Sequence, residues 1–186
     1  AKDPDGNGKA DTYAMAMTKT LWGGFASLGA FFNAYHAYPG IWVKDAKGKL
    51  VFGTIQPEVK TALRELQRLY AAGMLDKEFT VKDGTKVSED VTSGKIGVQY
   101  GAWWNSFWPL TVSRDKDPNA EWVAFQPLSV DAKPGKAQYS GTVGSFVVVS
   151  RKFSNPEATI KMLNLWFDVI LNNPTLEKAA KYIFNP

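Results

Sequence analysis

Segments with the periodicity of an α-helix alternate along this chain with short apolar runs that are typical of β-strands. The clearest helix is predicted over 57–72, where apolar side chains recur at every third or fourth position. Pro57 suits the first position of that helix, and Gly73 is placed to end it. Because helical and strand-like segments are interleaved throughout, the sequence predicts an α/β fold.

The other predicted elements are shorter. A hairpin is expected at 41–43 and 50–52, because two apolar runs flank a turn that contains Gly48. Three further segments are predicted as strands: 96–100, 122–127 and 146–149. Helices are predicted within 20–38, at 88–91, from Asn155 onward and over 176–183, and 12–17 is either a strand or the start of a helix.

Composition and charge exclude several classes of function. The chain has 186 residues and no Cys, so it has no disulfide and no thiolate chemistry. A single His argues against a histidine-rich metal site and against a His-based catalytic triad. The net charge is +4, but the basic residues are scattered rather than gathered into the stripe that binds nucleic acid. This modest positive charge is compatible with the attraction of an acidic sugar.

The opening segment, 3–11, carries oxygen-bearing side chains on alternate residues. Alternation lets successive ligands point inward around one ion, and Ca²⁺ prefers hard oxygen ligands. Gly8 stands where a calcium loop makes its sharp turn. The predicted ligands are the side chains of Asp3, Asp5, Asn7 and Asp11 and the backbone carbonyl of Lys9. We therefore predict a calcium site, with a solvated turn as the alternative.

Ala14 stands where the standard calcium loop has a bidentate Glu. The loop is therefore not that of a calcium sensor. Water, Thr12 or a residue elsewhere would complete the ligand shell, and the expected task of the ion is to fix a loop.

Aromatic residues are abundant, with seven Trp, seven Tyr and eleven Phe, and three of the Trp fall within six residues. They follow the strand predicted to end near Gly101. Because neighbouring side chains point in different directions, we expect at least one of Trp103 and Trp104 to face a cleft. An indole suits the apolar face of a pyranose ring, and Asn105 offers hydrogen bonds to hydroxyl groups. The alternative is that all three tryptophans lie in the core.

These segments together resemble the extracellular solute-binding proteins of bacterial ABC importers, specifically the oligosaccharide-binding lipoproteins of family 1. The resemblance lies in the following segments, which occur in the family's order: 3–13, 48–58 with 69–79, 94–97 with Trp103-Trp104, and 155–158. It implies a periplasmic-binding-protein type II architecture, in which each lobe is a mixed sheet flanked by helices. Residues 1–186 are expected to be a single lobe, cut from a longer polypeptide and beginning with a calcium-loop segment at 1–14.

The resemblance also implies a non-enzymatic function. The expected ligand is an oligosaccharide and the expected partners are the permease subunits of an ABC importer. The full-length protein would be extracellular, at the cell surface, and anchored by a lipid attached outside this segment. We expect a monomer that contacts no nucleic acid.

The resemblance assigns sugar stacking to an aromatic residue after the strand at 96–100, which here is Trp103 or Trp104. Other positions in the family's order are further candidate ligand contacts: Trp22, Asn33, Tyr35, His36 and Tyr139.

Two other classes of function use similar residues. A carbohydrate-active enzyme or its accessory module also has aromatic platforms and calcium loops, but a glycosidase needs two carboxylates about 5–9 Å apart in the same groove. A calcium-stabilised adhesion module would display its aromatic residues as a flat exposed patch.

Overall fold

The computed structural model of the chain describes residues 3–4, 6–126, 128–139, 145–172 and 175–182. The chain divides into two compact units, Ala1–Ser140 and Gly141–Pro186. The first unit combines short strands with helices, and the regular elements in the described part of the second are helices. The fold is therefore mixed α/β, as the sequence predicts.

The elements of the first unit are short, apart from one helix. Its strands are β1 (Tyr13–Met15), β2 (Trp42–Lys44), β3 (Leu50–Phe52) and β4 (Ile96–Val98). Its α-helices are α1 (Gly29–Ala34), α2 (Pro57–Ala71), α3 (Gly84–Thr92) and α4 (Leu110–Lys116), and 3₁₀ turns lie at Gly53–Ile55 and Trp103–Ser106. The second unit contains α5 (Glu157–Phe167), a π-helical turn (Asp168–Asn172) and α6 (Leu176–Tyr182).

The strands form two separate two-stranded sheets. β1 and β4 are parallel, with Tyr13 opposite Ile96, and β2 and β3 are the predicted antiparallel hairpin, with Trp42 opposite Phe52. Within the described ranges these are the sheets that form. The larger mixed sheet expected of a solute-binding lobe is not found there, because the segments predicted as further strands do not pair.

Helix α2 matches its prediction almost residue for residue. Pro57 occupies its first turn, and the buried face carries Val59, Ala62 and Leu66. Gly73, just after the helix, has φ +68°, a left-handed conformation that glycine adopts without the steric cost of a Cβ. The buried face packs into the larger hydrophobic cluster together with residues of α1 and β1: Met15, Leu28, Phe31 and Phe32.

Helix α3 is longer than predicted and begins four residues earlier. Its N-cap is Asp83, whose side chain accepts a hydrogen bond from the Lys86 backbone N–H. Ser88, the predicted start, lies inside the helix and donates its hydroxyl hydrogen to the Thr85 carbonyl, 2.8 Å away. Serine makes such bonds at caps and inside helices alike, which is why the sequence pattern misplaced the start.

Three strand predictions are wrong in whole or in part. The segment 96–100 was expected to be a buried strand, but β4 ends at Val98 and Ile96 is its one buried residue. Among the described strands, β4 pairs with β1 along one edge and has no partner on the other. Residues 122–126 form no strand; the Trp122 indole N–H instead donates to Ser113 Oγ in α4 at 3.1 Å. Residue 127 lies outside the described ranges. Residues 146–149 are exposed and unpaired with any other described strand.

The second unit contains the two predicted C-terminal helices. Helix α5 buries none of its residues, so Ile160 and Phe167 of its predicted apolar face are exposed. The side chain of Ile170 and all of Ile183 lie outside the described residues. Among the helices that are described, none is long and apolar enough to cross a bilayer.

An ion-pair network joins the segment after α2 to α3 in the first unit. Lys82 Nζ lies 2.5 Å from Asp76 Oδ2 and 2.8 Å from Asp90 Oδ2, and most of each side chain is buried. Burial lowers the pKa of Lys82, but the hydrogen bonds that its ammonium group donates to the two carboxylates outweigh this effect and raise that pKa well above its ordinary value. The stabilisation is therefore complete at neutral pH and is lost only as the pH rises above the ordinary pKa of 10.5.

Replacing Lys82 with Met keeps the length of the side chain and removes its charge, which leaves Asp76 and Asp90 without their shared cation. We expect Lys82→Met to lower the free energy of unfolding at pH 7 by about 2 kcal/mol, somewhat less than for a fully buried pair. Urea unfolding followed by circular dichroism measures the change.

Lys86→Met is the matched control, because the Lys86 and Glu89 side chains are 63% and 59% exposed. We expect Lys86→Met to lower the free energy of unfolding by less than about 0.5 kcal/mol. Equal losses for the two variants would contradict the structural role of the Lys82 network.

Candidate functional site

The tryptophan-rich segment forms the 3₁₀ turn Trp103–Ser106, which follows β4. Trp103 is 80% exposed, whereas Trp104 is half-buried and stacks on Trp108, with ring centroids 6.4 Å apart and planes 24° apart. The two adjacent indoles therefore differ in environment, as their direction along the backbone predicts. The exposure of Trp103 excludes the alternative that all three tryptophans are core residues. Whether Trp103 or Trp104 contacts a ligand stays a prediction.

The buried side chain of Asn105 holds this turn in place through hydrogen bonds. Its Nδ2 donates to the Gly24 carbonyl at 2.7 Å and to the Ala102 carbonyl at 2.8 Å, and its Oδ1 accepts from Gln99 Nε2 at 2.6 Å. The side chain is buried, so these bonds are shielded from water. Asn105 therefore has a scaffold role that the sequence did not reveal, and its predicted contact with a ligand remains a prediction.

The loop that carries Trp22 runs beside this turn. The Ala102 backbone N–H donates to the Gly24 carbonyl at 2.8 Å, and the Gly24 backbone lies directly against the Trp104 indole. Trp22 itself is about half exposed, and its ring packs 5.2 Å from that of Phe32. The structure thus brings the loop of one predicted ligand residue, Trp22, alongside Trp104.

Two other predicted residues, His36 and Tyr139, line a pocket of the first unit, which we call the main pocket. Its volume is about 680 Å³, within the range of ligand pockets in proteins. Tyr139 is 85% exposed. The wall also includes aromatic, amide and basic side chains: Tyr38, Gln138, Lys133 and Lys136. We call the segment 133–138 the strap, because most of its residues contribute to the lining of this pocket.

Asn33 and Tyr35 lie behind the pocket rather than on its surface. Asn33 is buried, and in the amide orientation that satisfies its neighbours its Oδ1 accepts from the Gln138 backbone N–H at 2.9 Å. Tyr35 packs on Phe31 with ring centroids 5.3 Å apart, and burial raises the pKa of its phenol, with a smaller contribution from Glu65. Asn33 thus holds the strap and Tyr35 packs against the core. The predicted contact of each residue with a ligand stays a prediction.

His36 lies in a cluster with a serine and an aspartate. Its Nε2 is 3.0 Å from Asp131 Oδ1 and 3.2 Å from Ser129 Oγ. The hydrogen bond from His36, followed by one from the Lys133 backbone, lowers the pKa of Asp131 to about 2. Because an ionised carboxylate only accepts, Nε2 carries the hydrogen and cannot take a proton from Ser129. The cluster is therefore not a nucleophilic relay, which needs the serine and the aspartate on different ring nitrogens.

The described part of the opening loop has the curled form expected of it. Asp3 accepts hydrogen bonds from the Asn7 and Gly8 backbone N–H groups at 2.9 and 2.8 Å, and Asn7 Oδ1 accepts from the Lys9 N–H at 2.8 Å. Gly8 has φ +79°, the left-handed conformation that the predicted sharp turn requires.

Asp11 is the predicted calcium ligand whose surroundings are most informative. Its Oδ2 is 2.9 Å from Lys95 Nζ, and that hydrogen bond lowers the pKa of the carboxyl. Its Oδ1 is buried and has no hydrogen-bond partner among the described atoms. Asp5 lies outside the described residues, and within those that are described no three acidic or histidine side chains gather as a metal site. The ligand set therefore stays a prediction.

Three residues that line the pocket were not among the predicted ligand contacts: Lys133, Lys136 and Gln138. In sequence, 131–137 reads as a loop rich in small and charged residues, with nothing to indicate which part of the chain it meets. This loop contacts the segment that follows α1 through residues almost a hundred positions apart in the sequence, such as His36 and Asp131.

About half of the chain is similar to known bacterial proteins. It is 39% identical to lipoprotein LipO of Bacillus subtilis over 101 residues, which are 52% of this chain and 19% of that protein. It is 31% identical over 100 residues to the polygalacturonan/rhamnogalacturonan-binding protein YtcQ of the same organism, covering 53% of this chain and 19% of YtcQ. An uncharacterized protein from the butB 5′ region of Niallia circulans is 30% identical over 105 residues, 55% of this chain and 40% of that protein.

The chain thus shares partial homology with a lipoprotein and with a protein named for binding polysaccharides, and it spans about a fifth of the length of each. No family model matches the chain, and no solved structure matches it. The resemblance drawn from the sequence is confirmed to this extent, and YtcQ, the relative whose name states an activity, is a binding protein rather than an enzyme.

The contact between Gly24 and Trp104 provides a test of how the tryptophan turn is held. A Cβ at position 24 would overlap the Trp104 indole, whereas a Cβ at Gly23 would meet nothing within 4 Å. We expect Gly24→Ala to displace Trp104 from Trp108 and to lower the unfolding free energy by about 1–3 kcal/mol. Near-ultraviolet circular dichroism and tryptophan emission report the displacement. Gly23→Ala is the control, and an unchanged spectrum for Gly24→Ala would refute the contact.

Proposed function

We propose that this chain belongs to the carbohydrate receptor of a bacterial ABC importer, which captures an oligosaccharide and performs no catalysis on it. The observation that carries this proposal is the exposed indole of Trp103 on an anchored turn beside Trp104 and Trp108. The partial homology to YtcQ, which is named for binding polysaccharides, supports a carbohydrate as the ligand.

In this proposal the Trp103 ring stacks on the C–H face of a pyranose ring. Burial of an apolar ring face stabilises the complex, and an indole offers a broad and rigid surface for it. The Asn105 hydrogen bonds and the Trp104–Trp108 stack hold the turn before ligand arrives, which reduces the entropy lost on binding. Other predicted residues, Trp22, His36 and Tyr139, would contact further parts of the sugar.

The remaining features of the receptor belong to the same proposal. The chain would be a single lobe of a two-lobed, periplasmic-binding-protein type II architecture that closes on its ligand by a hinge motion. The whole protein would be a monomer at the extracellular face of the cell, held by a lipid anchor outside this segment, and it would deliver its ligand to permease subunits. The similarity to lipoprotein LipO supports the anchor.

The main alternative is a carbohydrate-active enzyme or its accessory module. Glycoside hydrolysis generally uses a pair of carboxylates that flank the scissile bond. None of the described residues that line the main pocket is acidic. The described lining of that pocket therefore does not itself provide such a pair of carboxylates.

Removal of the exposed indole tests the stacking proposal. We expect Trp103→Ala to weaken oligosaccharide binding about tenfold, because the sugar loses its aromatic platform. Isothermal titration calorimetry with a panel of neutral and acidic oligosaccharides measures the affinity. Trp42→Ala is the matched control, since Trp42 is also largely exposed but lies on the hairpin. Equal affinities of Trp103→Ala and the unaltered chain for a sugar that binds would refute the stacking role.

Calcium is proposed as a structural ion in the opening loop, held by Asp3, Asp5, Asn7, Asp11 and the carbonyl of Lys9. An ion that binds only the folded loop stabilises it by mass action, by about 2.7 kcal/mol at a hundred times the dissociation constant. We expect millimolar Ca²⁺ to raise the melting temperature by several degrees and a chelator to reverse the shift.

The response to calcium should disappear in Asp5→Asn and persist in Asp115→Asn, a substitution of an exposed aspartate in α4. Differential scanning calorimetry with and without chelator compares the three proteins. An identical melting temperature in both conditions for the unaltered chain would exclude the calcium site.

A further inference from the structure

The described lining of the main pocket is positively charged. It includes Lys133 and Lys136, both exposed, together with His36, and it includes no Asp or Glu. Within the described part of the chain, neither lysine ammonium lies within ion-pair distance of a carboxylate, although six other ion pairs form there. The two ammonium groups are therefore available to an anionic ligand.

The strap that carries these lysines is fastened at several points. Gln138 Nε2 donates to the Pro39 carbonyl at 2.7 Å, and the Gln138 backbone N–H donates to Asn33. Burial raises the pKa of the Tyr38 phenol. The Lys136 backbone N–H donates a hydrogen bond to the phenol oxygen, which lowers that pKa by a smaller amount. These bonds fix the Cα positions from which the two lysine side chains extend.

The acidic side chain beside the strap is that of Asp131, and one of its carboxylate oxygens already accepts hydrogen bonds. Asp131 Oδ1 accepts from Ser129 Oγ at 3.0 Å and from the Lys133 backbone N–H at 2.9 Å, and it contacts His36 Nε2 at 3.0 Å. This one carboxylate lies near two lysines of the lining, Lys133 and Lys136, so the positive charges outnumber the negative one. A cleft lined by one sign of charge attracts ligands of the opposite sign.

The same wall presents aromatic surface. Tyr38 and Tyr139 line the pocket, and Tyr139 is almost fully exposed. A uronic acid unites the two features that this wall can recognise, a pyranose ring with an apolar face and a carboxylate attached to that ring. A neutral sugar would use the aromatic surface but not the two ammonium groups.

We propose that this pocket binds a uronate unit of an acidic oligosaccharide, with Lys133 and Lys136 pairing with its carboxylate. This inference rests on the proposed function, since it names the chemical class of the sugar and the residues that select it. The ammonium groups discriminate by charge, and the tyrosines supply the surface on which the ring lies.

The test compares two ligands that have the same sugar backbone and differ in charge. Trigalacturonate and its fully methyl-esterified form have the same sugar backbone, and esterification removes the negative charges. Isothermal titration calorimetry on the 186-residue chain at low salt is expected to show at least about tenfold tighter binding of the free acid. Raising the salt should weaken binding of the acid and leave binding of the ester unchanged.

The double variant Lys133→Gln/Lys136→Gln should lose the preference and bind the acid and the ester equally. The control is Lys47→Gln/Lys49→Gln, which removes the same charge from the turn of the hairpin and should keep the preference. Both variants alter exposed side chains, and circular dichroism checks that they remain folded.

The outcomes distinguish a failure of this inference from a failure of the proposed function. If the ester binds as tightly as the acid, or if the strap variant keeps the preference, the uronate proposal is overturned while carbohydrate binding stands. If the hairpin variant loses the preference as fully as the strap variant, net charge alone is responsible and the site assignment is overturned. If no oligosaccharide of the panel binds, both proposals fail.

Discussion

The hydrogen bonds of Asn105 are the constraint on which the arrangement of the tryptophan turn depends. One buried amide joins the end of the β4 segment and the turn, which are neighbours in sequence, to the loop around Gly24, which is about eighty residues away. An unpaired amide in that position would cost on the order of 1–3 kcal/mol, so all three segments are held together or released together. The exposed position of Trp103 is therefore a property of the scaffold as well as of its own side chain.

Features determined by short stretches of sequence were predicted well, and features that depend on distant contacts were not. The periodicity and terminal residues of α2 are local signals, as are the two runs of the β2–β3 hairpin, and both elements formed where expected. The segment at 122–126 has strand-like composition, yet it forms no strand. The Trp122 indole donates a hydrogen bond to α4, and none of the described strands pairs with the segment. A strand forms only when it pairs with another strand, and the sequence of one strand does not show which segment that partner is.

The same distinction applies to the candidate site. Adjacent tryptophans after a predicted strand could be read directly, and the structure exposes one of them. The role of the strap could not be read, because Asn33 and Gln138 are about a hundred residues apart, as are His36 and Asp131. The first unit consequently offers two kinds of surface, an aromatic turn and a basic pocket, of which only the aromatic one has a recognisable local pattern.

The close approach of Gly24 to Trp104 has a consequence for how this protein can vary in evolution. Only a hydrogen atom fits between that backbone and the indole, so the two positions cannot change independently. Any lineage that acquires a side chain at position 24 must also accept a smaller residue at position 104 or a shifted loop. Related sequences should therefore show these two positions as a covarying pair, with glycine retained wherever the tryptophan is retained.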